Sequence, residues 1–191
     1  ISQASRNEFV IESGSHILTS DLYVPPDCKL IIPPGVSLSF SDTTTLICRG
    51  SLSAVGNSSA PIYFSSSASS WGGILIYQSS QPSRFEHCIF ENINGVGKAA
   101  NPAGIHRSGW NMTGAVNIYD ATSFFGNCLF NNLQTEDGLN IIHADFELRD
   151  SNFTNLYSDG FDGDFVNGVI TGCNFRKLNG DGVDFSGSKG S

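Results

Sequence analysis

Three segments near the end of the chain repeat one pattern at a fixed interval. Glu136-Asp137-Gly138-Leu139-Asn140, Ser158-Asp159-Gly160-Phe161-Asp162 and Gly180-Asp181-Gly182-Val183-Asp184 follow one another at steps of 22 residues. A second set comprises His87-Cys88-Ile89-Phe90, Asn127-Cys128-Leu129-Phe130, Ser151-Asn152-Phe153 and Gly172-Cys173-Asn174-Phe175, of which the last three keep the same beat. From Phe130 to Phe153 is 23 residues and from Phe153 to Phe175 is 22. A period of this size marks a solenoid, in which each repeat buries its apolar face only against its neighbours.

Each repeat holds two or three short alternating strands separated by Gly, Asn and Asp turns. No stretch is left for a helix of the length that leucine-rich or ankyrin repeats require. Equivalent strands then stack in parallel about 4.8 Å apart around one buried column. The expected class is all-β, a parallel β-helix with coils of about 22–23 residues. Residues 1–24 are expected to hold an N-terminal cap and the first strands, and residues 25–191 the coils. The repeat stops in mid-pattern at Ser188-Lys189-Gly190-Ser191, which predicts that this chain is the N-terminal portion of a longer protein.

Alternation assigns faces. Leu139, Ile141, Phe161, Phe165, Val183 and Phe185 share the parity expected inside. Asn140, Asp162, Asp164, Asp184 and Ser186 take the other parity and are expected outside. Cys88, Cys128 and Cys173, with Ser151 in the equivalent slot, are expected to stack inward as small buried groups. The spacing leaves open whether Cys28 and Cys48 pair. Ile74 and Ile76 align with Val116 and Ile118 only if about 19 extra residues intervene, so a loop is expected to protrude at about 94–113. It carries Lys98, His106, Arg107 and Trp110, and it leads into the strand that stacks toward the aspartates.

Sparse charge, 10 basic against 18 acidic side chains for a formal −8, argues against a nucleic-acid partner. No apolar run is long enough to insert in a bilayer. The chain reads as secreted, extracellular or at a cell surface, with any signal peptide already removed. Sequons at Asn57, Asn111 and Asn152 are candidate glycan acceptors, although a chain rich in Asn and Ser also makes sequons by chance.

Asp162 and Asp184 are expected on adjacent coils about 4.8 Å apart, with Asp164 about 6.6 Å along the strand from Asp162. Carboxylates that close raise at least one pKa. Three readings stay open: a solvated ladder that shapes the coil, paired-carboxylate carbohydrate chemistry, or a calcium site at Asp162, Asp164 and Asp184 with Asn140 nearby. Asp159 and Asp181 lie at the preceding corner, as further acids or as caps of backbone turns.

The repeat and its inward Cys/Phe ladder resemble the right-handed β-helix superfamily of pectate lyases and polygalacturonases. Polygalacturonases carry an Asn-Thr-Asp motif and, about one coil later, an Asp-Asp motif. Tyr157-Ser158-Asp159 and Asp181-Gly182 are similar in wording and distance. The resemblance implies that Asp159 helps activate water and that Asp181 is the general acid. It departs where Tyr157 stands for the Asn and Gly182 for the second Asp, and where no Gly-His-Gly or Arg-x-Lys segment follows. The expected function is recognition of, or action on, a polysaccharide, with catalytic Asp159, Asp181, Asp162 and Asp184. Substrate contacts are expected from Asn140, Asp164, His106, Arg107 and a stacking Trp110, and calcium is the candidate cofactor. The rival expectation is a structural or adhesive module that self-associates or binds other surface proteins.

Overall fold

The computed structural model describes residues 1–42, 44–95, 105–107 and 110–190. It is an all-β parallel solenoid of about seven turns, with no helix among the described residues. The alternation in each repeat produces three strands per coil. Asp137–Ile142, Asp145–Arg149 and Asn152–Leu156 make one coil, and Asp159–Asp164 begins the next directly above Asp137–Ile142. Stacking yields a first sheet containing Asp145–Arg149, a second containing Asn152–Leu156 and a third containing Asp137–Ile142. Residues 8–24 already form a complete coil, and Ser2–Ser5 pairs antiparallel with Glu8–Val10 at the edge of the first sheet.

Corners are made by single residues in the left-handed region. Asn92, Asn132, Asn155 and Lys177 turn the chain from the second sheet to the third. His87, Asn127, Asp150 and Gly172 turn it from the first to the second, each just before the Cys/Ser column. Cys88, Cys128 and Ser151 are fully buried there, and Cys173 is half-buried. Each of these four groups donates to the carbonyl two residues back, Ser151 Oγ to Arg149 O at 2.8 Å and Cys128 Sγ to Gly126 O at 3.4 Å. The column therefore seals corners with small hydrogen-bonding side chains. All five cysteines, Cys28 and Cys48 included, are free thiols.

Inside, Phe64, Phe90, Phe130, Phe153 and Phe175 form one stack, with successive ring centroids 5.1, 4.8, 4.4 and 4.8 Å apart. Phe40 and Trp71 stack at 4.2 Å in the earlier coils.

Leu139, Ile141 and Phe161 are buried as alternation predicts, and Phe185 packs against the core half-buried. Phe165 is not inside: it is 62% exposed. Its strand ends at Asp164, and the left-handed turn at Phe165 itself (φ 52°) breaks the parity, so Val166 takes the buried slot. Val183 is also exposed, at 37%, because it lies on the outermost described strand of its sheet.

Ile74 pairs with Val116 and Ile76 with Ile118, and between those strands Ile105–Arg107 and Trp110–Met112 form an antiparallel hairpin.

Candidate functional site

In-register stacking of the third sheet puts Asn117, Asn140, Asp162 and Asp184 in one column on adjacent coils. A parallel column runs through Asp137 and Asp159 at the strand starts, and Asp164 stacks on Ile142 and under Ser186. Asp162 is thus in register with Asp184, and Asp164 lies two residues along its strand.

Asn140 is the hub. Although its parity points away from the core, it is only 4% exposed. Its Nδ2 donates to Asp162 Oδ2 at 3.0 Å, Thr113 Oγ1 at 3.0 Å and Asp137 Oδ2 at 3.2 Å. Asp137 is 3% exposed. Burial, then repulsion from Glu136 and Asp159, pushes its carboxyl up to about 6 against the hydrogen bonds from Thr113 and Asn140. Asp162 is half-buried, and burial followed by repulsion from Asp137, Asp164, Asp184 and Asp159 raises it to about 7. Two carboxyls bridged by one amide are thus both held above the usual carboxylate range.

Asp159 is committed to the backbone. Its Oδ1 accepts the Asp181 N–H at 2.6 Å and the Ser158 hydroxyl at 3.3 Å, tying one coil to the next as an Asx-type cap. Asp181 and Asp184 are exposed. Asn117, one coil below Asn140, folds onto the backbone of Gly114, its Oδ1 accepting Gly114 N–H at 2.9 Å and its Nδ2 donating to Gly114 O at 2.7 Å.

The hairpin ends in Met112, which packs on Leu75 and Tyr77 on the outer side of the third sheet, and it delivers Thr113 to the Asn140 cluster. Backbone of His106, Arg107, Trp110 and Asn111 belongs to the hairpin, but their side chains lie outside the described set, as does Lys98. Asn57 is exposed in a turn, its Oδ1 accepting from Ser59 and Ala60 N–H at 3.0 Å. Asn152 is exposed and accepts from Asn174 Nδ2 at 3.3 Å.

Asp137, Thr113 and Asn117 are the members that sequence reasoning missed. Asp137 stood in the quoted repeat, in the slot of Asp159 and Asp181, so the 22-residue beat was the available signal. Among the described residues no group of three His, Cys, Asp or Glu side chains is arranged to hold a metal ion, and Asn140 turns its amide nitrogen, not its oxygen, toward the carboxylates.

Fold and site together define a parallel β-solenoid with an amide-bridged acidic ladder on one sheet. Comparison with models of known families, with curated proteins and with solved structures gave no match in any of the three.

Proposed function

We propose that the chain is an extracellular carbohydrate-active β-helix domain that acts on a polysaccharide through the outer face of its third sheet. The observation that carries this reading is Asp162. It is a half-buried carboxyl raised to about 7, hydrogen-bonded to Asn140 and stacked one coil below the exposed Asp184. A carboxyl still protonated near neutrality is what general-acid cleavage of a glycosidic bond needs. Adjacent coils are about 4.8 Å apart, near the roughly 5–5.5 Å separation of the two carboxyl groups in retaining hydrolysis. In this arrangement Asp162 donates the proton, Asp184 faces the sugar carbon, and Asp159 serves as a positioning cap because its carboxylate is engaged with Asp181 N–H. Asp164 and the hairpin bound the site. The donor set does not fit calcium, so no step is routed through a metal.

The test is release of new reducing ends from a panel of neutral and acidic polysaccharides, read alongside binding by titration calorimetry. Activity on one polymer, lost in Asp162→Asn and in Asp184→Asn with binding retained, is the expected outcome. Neither binding nor cleavage at millimolar sugar would overturn the reading.

The use of Asp159 as an inter-coil tie favours a second reading, a rigid structural or adhesive module whose acidic ladder shapes the coil. It predicts association between chains or with other surface proteins in place of turnover.

A further inference from the structure

The corner where the third sheet hands over to the first is turned, like the other two, by residues in the left-handed region: Asp27, Gln78, Asp120, His143, Phe165 and Gly187, with φ between 48° and 62°. Above and below these turns the surface is hollow. A cavity of about 680 Å³ is bordered by Ser79, Asp120, His143, Phe165 and Gly187. A second, of about 420 Å³, runs from Asp27 to Ser79. Ser79 borders both, and the two hollows lie along the same corner of successive coils.

Its most costly feature is Phe165. A bulky residue at positive φ is strained, and this one leaves its ring 62% exposed. Gly187, one coil above, makes room beneath it, since a Cβ there would lie 2.6 Å from the Phe165 ring. His143 meets the same ring edge-on at 5.2 Å, and Tyr119 lies 6.3 Å beyond His143. Polar groups flank this aromatic platform. Asn167 Nδ2 donates to Asp145 Oδ1 at 3.1 Å, and Asp120 Oδ1 lies 3.7 Å from His143 Nδ1.

We infer that this corner is a binding site for an extended, uncharged polysaccharide strand, with one sugar ring stacked on Phe165 and hydroxyls held by Asp120, Asp145 and Asn167. An exposed aromatic face beside a few fixed polar groups matches the amphipathic faces of a pyranose. The charged lining is Glu8, Asp27, Asp120 and Asp145 against Lys29, on a chain of formal −8, so a polyuronate would be repelled. A peptide strand fits poorly, because recognition by main-chain pairing needs a sheet edge parallel to the ligand, and the hollows lie at a corner between sheets.

The inference shares its ligand class with the proposed function but none of its reacting residues. The experiment is calorimetric titration of soluble xylan and mixed-linkage glucan, polygalacturonate, chitosan and oligolysine. Each is run on the unaltered chain, on Phe165→Ala, on Phe165→Gly and on Asp162→Asn with Asp184→Asn. Glycine suits the left-handed position, so Phe165→Gly keeps the fold while removing the ring. Binding of a neutral polymer, weakened at least tenfold by both Phe165 variants and more by them than by the Asp162/Asp184 pair, is expected. Neutral-polymer binding indifferent to Phe165 would overturn this site while leaving the carbohydrate reading standing. Preference for polygalacturonate, chitosan or oligolysine, or no binding at all, would overturn it outright.

Discussion

At the scale of single residues, the Asn140 amide decides how the acidic ladder behaves. It cannot neutralise Asp137 and Asp162; it only bridges them, and burial leaves both carboxyls easier to protonate in the fold than in the open chain. For such acids the folded state binds more protons, so stability falls as pH rises. The window runs from about 4, near the unfolded value of 3.8, to the folded values of about 6 for Asp137 and about 7 for Asp162. Melting temperature is therefore expected to be several degrees higher at pH 5 than at pH 8. Asp162→Asn should flatten that slope and raise the melting point at pH 8 by a few degrees. This corresponds to about 1 kcal/mol once solvent screening of a half-exposed group is allowed for. The amide oxygen of the new side chain can still accept from Asn140. Calorimetric melts of both proteins from pH 4 to 8 read the effect, and parallel curves would show that the pair carries no linkage.

At the scale of elements, the stacked phenylalanines carry the packing. Phe153 is fully buried, with neighbouring rings at 4.4 and 4.8 Å, whereas Phe175 occupies the same column but is half-buried. Removing a buried ring leaves a cavity as well as losing transfer energy, about 3–5 kcal/mol for Phe→Ala. Phe153→Ala should lower unfolding free energy by that amount in urea titrations, and Phe175→Ala by about half. Equal losses would show that the column does not weaken toward the last described coil. The recurring glycines of the Asp-Gly pairs have the same origin. A Cβ on Gly138 would lie 2.8 Å from Gly160 O, and one on Gly160 would lie 2.6 Å from Gly182 O, so coils can stack at that position only without side chains.

At the scale of the whole molecule, a solenoid of about seven turns offers two candidate surfaces, the acidic later coils of the third sheet and the hollows along its corner. The enzyme reading uses them with the chain acting alone, whereas the structural reading uses the coil as a spacer between partners. Light scattering coupled to size exclusion distinguishes these: the proposed function predicts a monomer from micromolar to hundred-micromolar concentration. A stable oligomer or fibre with no polysaccharide bound would favour the structural module.

Much of this was legible in the sequence because a solenoid repeats its own instructions. The 22-residue beat placed Asp162 against Asp184, alternation turned Cys88, Cys128 and Ser151 inward, and alignment across an insertion set Ile74 against Val116. Each of these depends only on register, which in-line stacking carries from one coil to the next. Parity failed at Phe165, because alternation counts through a strand but not through a left-handed corner. The burial of Asp137 and Asn140 was equally hidden. It depends on Thr113, brought in at the end of the hairpin, and no local pattern states what an insertion will cover. The sequence alone determined the class of fold, the coil length and the register in which the coils stack. Only the tertiary structure decided which acids lose their water and which aromatic faces solvent, since solvation is set by neighbours far along the chain and period by residues close by.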